Sequence, residues 1–179
     1  MTQNSKRMLL LSCCAPCSVR VIHALAKQQT DFSVLFFNPN IRPESEYIKR
    51  RDENKRVCAH YDIPFIELPY DTTAWDCITQ GLENEPERGR RCDKCFELRL
   101  MRTAEYAKSN GYTTFSSVLG ISRYKDFDQV NRAAQIAETT HHIIYDTTNW
   151  RTLLPELQKT LEEEFSLYKQ KYCGCKPRA

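Results

Sequence analysis

The residues of this sequence best suited to metal binding or catalysis are three groups of cysteines. They are Cys13, Cys14 and Cys17 in "CCAPC", Cys92 and Cys95 in "RRCDKCF", and Cys173 and Cys175 in "YCGC". Thiolates bind soft metal ions and exchange electrons with disulfides, and cysteines grouped at these spacings are typical of zinc, iron-sulfur or dithiol sites. The sequence therefore predicts metal binding or redox chemistry.

The first group follows a short apolar run that predicts a strand, and it precedes a predicted helix. Pro16 suits the first turn of that helix because proline lacks the N–H that would be unpaired there. The amides at the start of a helix lower the pKa of nearby thiols such as Cys17. Nucleotide-binding α/β folds place a glycine-rich phosphate loop at this point, but here it contains no glycine. This turn therefore favours metal or redox chemistry and argues against the use of ATP.

The second group is a CxxC motif that opens a predicted helix after a charged loop. Cys14 and Cys17 together with Cys92 and Cys95 would satisfy a four-thiolate zinc site, but the two pairs are far apart in the chain and Cys13 is left over. Thiolates in excess of four favour an iron-sulfur cluster. We therefore predict a [4Fe-4S] cluster, with a ligand left for a second metal ion, iron.

The third group lies near the end of the chain. The flexibility of Gly174 lets Cys173 and Cys175 approach each other, which predicts a strained disulfide that is easily reduced. The alternative is a frayed terminus with incidental cysteines. Cys58 and Cys77 stand alone in helical stretches, so we predict that both are buried as small apolar side chains.

The elements that must position these cysteines alternate between strand and helix. Strands are predicted at 8–12, 32–37, 64–68, 113–119 and 142–146, and helices at 17–29, 44–61, 73–81, 92–110, 128–139 and 153–168. This order predicts a Rossmann-like α/β fold, with a parallel sheet of about five strands and helices on both faces. Ligands bind such sheets at the carboxyl ends of the strands. We expect one domain over 1–179, ending in a cysteine-containing tail at about 169–179.

Composition limits the location and the partners. With 179 residues and 41% hydrophobic residues the chain has enough core to fold without disulfides. The opening "MTQNSKRMLLLSC" imitates a signal peptide, but its apolar run at 8–11 is shorter than the about 7–15 residues required. No run reaches the about 18 apolar residues of a membrane helix. We expect a cytoplasmic protein without a membrane partner, a setting in which clustered cysteines bind metal or do redox chemistry.

Positive charge is concentrated although the net charge is only +3. The two basic runs consist of Lys49, Arg50, Arg51, Lys55 and Arg56, and of Arg88, Arg90, Arg91 and Lys94. Such runs indicate a polyanionic partner met on one face, although the first run is equally well explained as a solvated helix face.

Four motifs, taken in order, resemble one family. "CCAPCS", "FFNPNIRPESEY", "RCDKCFELRL" and "YKQKYCGC" are similar to those of the epoxyqueuosine reductases of the QueH family. The resemblance implies an adenine nucleotide α-hydrolase-like fold and reduction of the epoxide of epoxyqueuosine, at the tRNA wobble position, to queuosine. It also implies cluster ligands drawn from Cys13, Cys14, Cys92 and Cys95, an additional metal ligand in Cys17, and a redox-active pair in Cys173 and Cys175. Arg123 departs from the family, whose members often have proline there.

The same resemblance implies the partners. The substrate would be a tRNA anticodon loop, with Arg88, Arg90 and Arg91 holding phosphate near the metal. The cluster would act as Lewis acid and electron conduit, supplied by an unidentified electron donor. Asp71, Tyr124 and Lys125 are candidate proton donors because all three are predicted at loop positions near strand ends, and Tyr124 or Tyr172 could stack on the base. The alternative is that the three candidates are turn residues or solvated side chains and that the tyrosines are simply buried or exposed. The alternatives are a metal-free thiol-disulfide reductase of the arsenate type and a zinc-stabilised RNA-binding module without catalysis.

Overall fold

A five-stranded parallel sheet organises the computed structural model, which describes residues 6–175. The strands are β1 (Arg7–Ser12), β2 (Asp31–Phe36), β3 (Phe65–Glu67), β4 (Thr114–Ser117) and β5 (Ile144–Tyr145), in the order β3-β2-β1-β4-β5. In the central strand Leu9, Leu10 and Leu11 are fully buried, as expected where helices cover both faces of a parallel sheet. Leu10 pairs with Val34 on one side and Ser116 on the other.

Six α-helices connect and follow the strands. They are α1 (Ala15–Lys27), α2 (Glu44–His60), α3 (Thr73–Thr79), α4 (Arg90–Ser109), α5 (Phe127–His141) and α6 (Leu157–Glu164). Connections between parallel strands are right-handed, so α1 and α2 lie on one face of the sheet and α4 and α5 on the other. The packing agrees, because α1 contacts α2 and α6 whereas α4 contacts α3 and α5.

The strand order creates a crevice at a defined place. From β1 the chain proceeds towards β2, whereas from β4 it proceeds towards β5, so the connections diverge between these two neighbouring strands. In open parallel sheets ligands bind at this point, beyond the carboxyl ends of the strands. The segment that follows β1 begins with Cys13, and the segment that follows β4 leads to Lys125. The fold therefore places the first cysteine group at the expected binding crevice.

The predicted fold class and the alternation of elements are confirmed, and the last helix is the main difference. It was predicted over 153–168, but a 3₁₀ turn (Trp150–Thr152) precedes it and α6 begins only at Leu157. Pro155 explains the late start, because proline disfavours helical conformation in the residue before it, and Leu154 has a φ of +44°. The tail continues to 175; its predicted residues 176–179, like residues 1–5 of the signal-like opening, lie outside the described residues. Within 6–175, no helix combines the length and apolar character needed to cross a bilayer.

Candidate metal and redox site

One cavity of about 1070 Å³ brings the three cysteine groups together. Its lining includes Cys13, Cys17, Cys92, Cys95, Cys173 and Cys175. Cys14 completes the first group, with its Sγ atom 3.7 Å from that of Cys13. Residues from the beginning, middle and end of the described chain therefore meet in one place.

The first group is held on the turn between β1 and α1. Cys14 is the N-cap of α1 in extended conformation, and Pro16 lies in the first turn as its sequence position predicts. The backbone N–H groups of Cys17 and Ser18 both donate to the Cys14 carbonyl at 3.2 Å. The sulfur atoms of Cys13, Cys14 and Cys17 all lie within 4.8 Å of one another, close enough to share one metal ion. This compactness follows from the helix start, which folds Cys17 back towards Cys14.

Asn54 of α2 anchors the turn between β1 and α1 by hydrogen bonds. Its side-chain carbonyl accepts hydrogen bonds from Ser12 Oγ at 2.6 Å and Ser18 Oγ at 2.9 Å, and its amide donates to the Arg50 carbonyl at 2.8 Å. Asn54 is fully buried. One side chain therefore joins the end of β1, the start of α1 and the middle of α2, which fixes the backbone on both sides of Cys13 and Cys14.

The second group opens α4, as predicted. Gly89 is the N-cap, and the Cys92 N–H donates to its carbonyl at 2.9 Å. Cys95 is buried one turn further along. Burial raises the pKa of both Cys92 and Cys95, since removing a thiolate from water is unfavourable; for Cys95, Arg99 and the Trp75 side chain partly oppose this.

The third group sits on a docked segment, which excludes the frayed terminus. The Gly174 carbonyl accepts a hydrogen bond from the Arg42 N–H at 2.9 Å. Gly174 has a φ of +120°, and a Cβ atom there would lie 2.9 Å from Cγ1 of Ile41. Glycine is therefore required by conformation and by space, and it turns Cys173 and Cys175 towards the cavity.

Two cations face the thiols, of which Arg99 is buried and Lys125 is partly buried. Arg99 is only 1% exposed and donates to the Phe37 carbonyl and to Asn38 Oδ1. Lys125 lines the cavity with its Nζ 3.9 Å from Cys13 Sγ. Among residues 6–175 no ion pair joins either cation to a carboxylate. The negative charge that balances them must come from the sulfur atoms and from what those atoms bind.

The charges of Lys125 and Arg99 affect the pKa values of the cysteines. Hydrogen bonds from Cys14 and Cys17, followed by the charges of Lys125 and Arg99, hold the pKa of Cys13 well below its usual range despite burial. A hydrogen bond from Cys175 and the same two cations lower the pKa of Cys173 to about 5. Cys13 and Cys173 therefore favour the thiolate, the form that binds metals and attacks disulfides, whereas the pKa values of their hydrogen-bonding neighbours Cys14, Cys17 and Cys175 are raised.

Asn38 is a further site residue that the sequence analysis missed. It follows β2, it is buried, and its amide donates to the Ser12 carbonyl at 2.9 Å while its carbonyl accepts from Arg99. It therefore connects the ends of β1 and β2 to one of the two cations. The signal was present in "NPN", where an asparagine follows a predicted strand at the ligand-binding edge of the sheet.

The three arginines predicted to hold phosphate have different environments. Arg88 is exposed and donates to the backbone carbonyls of Arg123 and Tyr124 at 2.8 and 3.3 Å. The Arg90 side chain is 75% exposed and pairs with Glu85 at 3.0 Å. Arg91 is buried and lines the cavity. All three lie at the loop beside the second cysteine group, and their contact with phosphate stays a prediction.

Other predicted residues separate into those at the cavity and those away from it. Tyr124, Lys125 and Tyr172 line it, with Tyr124 exposed. Asp71 is not among the lining residues, and its carboxylate instead accepts a hydrogen bond from the Thr73 N–H at 2.8 Å. The departure at Arg123 lies on the surface, where its guanidinium stacks over the Tyr124 ring at 5.0 Å.

The two solitary cysteines behave differently from each other. Cys58 is fully buried, as predicted. The prediction that Cys77 is buried is wrong, because Cys77 is exposed. It lies on α3, where Trp75 and Thr79 face the protein and Cys77, between them, faces away. A two-residue step turns a helix through about half a turn, which explains the difference.

These residues fit a metal bound by thiolates. The donor set consists of sulfur atoms, which favour iron and zinc over magnesium or calcium. The positive charges of Arg99 and Lys125, which form no ion pair with a carboxylate within residues 6–175, complement the negative charge of a thiolate-bound centre. An α/β protein whose binding crevice carries cysteines in place of a phosphate-binding glycine loop belongs to the class of thiolate metal or redox proteins.

Comparison with known proteins identifies the family within this class. The chain belongs to the family described as "Epoxyqueuosine reductase QueH", whose sequence model matches residues 8–177. A protein of that name from Acinetobacter baylyi is 46% identical over 181 residues, covering 96% of this chain and 80% of the relative. Relatives of the same name from Histophilus somni and Thermotoga maritima are 43% and 29% identical, each covering 94% of this chain and 70% or 88% of the relative.

Proposed function

We propose that this protein is an epoxyqueuosine reductase acting on tRNA. The reaction removes the epoxide oxygen of epoxyqueuosine at the wobble position, consumes two electrons and two protons, and releases queuosine-containing tRNA and water. Membership of the QueH family supports the activity. The observation that carries the proposal is the convergence of Cys13, Cys92 and Cys173, with their neighbouring cysteines, on one cavity at the binding edge of the sheet.

We further propose that the cavity holds a [4Fe-4S] cluster. Its ligands would be Cys13, Cys14, Cys92 and Cys95, and Cys17 would be available to a second metal ion, iron. When bound, the cluster would supply electrons and act as a Lewis acid towards the epoxide oxygen. The closely spaced sulfur atoms and the cations Lys125 and Arg99 support a negatively charged centre at this position.

Cys173 and Cys175 are proposed as the redox-active pair. Donation of two electrons by the two thiols would form one disulfide and release two protons, and an external electron donor would restore the thiols. Their place on the wall of the same cavity, and the low pKa of Cys173, support this role. The same proximity makes both sulfur atoms available as ligands of the second metal ion, and the two roles are separated by experiment below.

The tRNA would approach from the mouth of the cavity. Exposed Tyr124 offers a stacking surface for an unpaired base, Arg88 lies beside it at the end of the loop that precedes α4, and Arg90 and Arg91 follow in the first turn of α4. A tRNA substrate, together with clustered cysteines that can bind a metal, supports a cytoplasmic location.

Anaerobic purification followed by metal, sulfide and activity analysis tests the function. The protein should contain iron and acid-labile sulfide, absorb in the visible range, and convert epoxyqueuosine in tRNA to queuosine when given a chemical reductant. Cys92→Ser should lose the iron, the absorbance and the turnover together. Activity that survives the loss of iron would contradict the proposed chemistry.

A matched control separates the site from general thiol loss. Cys77→Ser removes an exposed thiol that does not line the cavity, so iron content and turnover should remain unchanged. Stoichiometric zinc without sulfide would instead indicate an RNA-binding module, and a colourless, metal-free, active protein would indicate thiol-disulfide chemistry alone.

A further inference from the structure

The basic run of α2 contains a buried arginine whose function the sequence does not show. The Arg50 side chain is 2% exposed. Its Nε donates to Glu46 Oε1 at 2.8 Å, one turn earlier on the helix. Its remaining nitrogens donate outwards, Nη1 to the Cys173 carbonyl and Nη2 to the Tyr172 carbonyl, both at 3.0 Å. One guanidinium therefore bridges α2 and the two residues that lead into the third cysteine group.

The same face of α2 also contacts other residues of the segment 165–175, which follows α6 and carries the third cysteine group. Arg56 donates to the Phe165 carbonyl at 2.6 Å, and Glu53 accepts from the Tyr168 N–H at 2.9 Å. Lys49 lies 3.6 Å from the centre of the Tyr168 ring. Residues spaced three and four apart lie on one face of a helix, so this polar face forms a continuous seat for the segment. Between Glu164 and residue 175 the segment forms no strand or helix, and further hydrogen bonds join Gly174 and Tyr172 to the Arg42 backbone and Gln170 to Cys14 Sγ.

We infer that Arg50 is a positioning residue that fixes Cys173 and Cys175 in the cavity wall. Among these contacts, those of Arg50 act next to the cysteines, and Arg50 itself lines the cavity. Its planar fork can satisfy two carbonyls and a carboxylate at once, which a lysine ammonium on a single atom cannot do in the same geometry. The role deepens the proposed function, because it concerns the pair to which that function assigns electron transfer.

Thiol reactivity tests this role without requiring turnover. In the protein as purified anaerobically, the alkylation rate of each cysteine by iodoacetamide is followed by mass spectrometry. Arg50→Met should raise the rates at Cys173 and Cys175 by about tenfold, because a segment released from its seat opens more often. The rate at buried Cys58 should stay unchanged.

Matched variants separate positioning from general destabilisation. Arg50→Met alone leaves the Glu46 carboxylate buried without its ion-pair partner, although the Tyr168 hydroxyl still donates to it, so the double variant Glu46→Gln/Arg50→Met removes both charges, keeps an acceptor for Tyr168 and should show the same selective rise. Arg51→Met is the control on the same helix, since Arg51 pairs with Asp52 and Glu67 and not with the segment; its rates should match the unmodified chain.

Three results of the alkylation experiment would contradict a positioning role for Arg50. If Cys58 reacts faster in step with Cys173 and Cys175 in both variants, Arg50 only supports the fold. If Arg50→Lys restores the original rates, its charge matters and its fork does not. Either result overturns the proposal, as do unchanged rates. A chain that reduced no epoxyqueuosine would still show the selective rise, so failure of the proposed function remains distinguishable.

Discussion

The Lys125 ammonium nitrogen lies 3.9 Å from the sulfur of Cys13, across the crevice between β1 and β4. Burial alone would lower the pKa of Lys125, but the thiolates of Cys13 and Cys173 outweigh burial and hold it above its ordinary value. The contact therefore places a fixed positive charge against a proposed ligand of the metal centre. Such a charge stabilises whichever state of the centre is more negative.

Replacement of Lys125 by methionine should make reduction of the centre harder. Reduction adds negative charge that the ammonium stabilises, so Lys125→Met should shift the midpoint potential in the negative direction by tens of millivolts. Redox titration followed by electron paramagnetic resonance measures this shift. Lys159→Met, which removes an ammonium whose side chain is 83% exposed on α6, should leave the potential unchanged. An unchanged potential in Lys125→Met would mean that the contact does not tune the centre.

Removal of one thiol of the third group separates its two proposed roles. If Cys173 and Cys175 are a redox pair, Cys175→Ser should keep full iron and sulfide content but turn over more slowly, by about tenfold or more. If Cys175 binds the second metal ion, the variant should lose part of its iron. Metal analysis and single-turnover measurements on the same sample distinguish the two. Unchanged turnover with full iron would show that the pair takes no part.

The parts of the fold that were predictable follow from local rules. Alternating apolar runs and amphipathic stretches predict a parallel sheet, and the start of a helix after β1 places Cys17 beside Cys14. Pro16 marks the helix start that carries the first cysteine group, and the charged loop before the CxxC motif marks the second. These features depend on residues close together in the sequence, so the sequence alone was sufficient to predict them.

The parts that were not predictable depend on distant contacts. The basic run on α2 is explained equally well by solvent or by a polyanion until the segment at 165–175 packs on it and buries Arg50. Arg99 is likewise an ordinary helical arginine in the sequence, and only the folded chain buries it beside Asn38 and the thiols. Helix periodicity did not settle the burial of Cys77 because α3 has only seven residues.

Asn54 should contribute to stability independently of any metal. Asn54→Ala leaves the Ser12 hydroxyl buried without its acceptor and removes the bond that Ser18 makes to α2, so the free energy of unfolding should fall by about 2–3 kcal/mol. Urea denaturation of the metal-free protein measures the change. Gln135→Ala, at an exposed position of α5, should stay within about 0.5 kcal/mol of the unmodified chain. An equally small effect of Asn54→Ala would show that the two hydroxyls find other partners.

Arg90 gives the sharpest test of phosphate contact, because its side chain is 75% exposed beside the second cysteine group. Its guanidinium pairs with Glu85, and an exposed ion pair of this kind is weak enough to exchange for a phosphate. Arg90→Gln should therefore weaken tRNA binding and reduce the slope of log K against log salt concentration by about 1. Arg102→Gln, which removes an equally charged side chain further along α4, should preserve that slope. Filter binding at several salt concentrations measures both variants, and equal slopes for the two would place the tRNA backbone away from the start of α4.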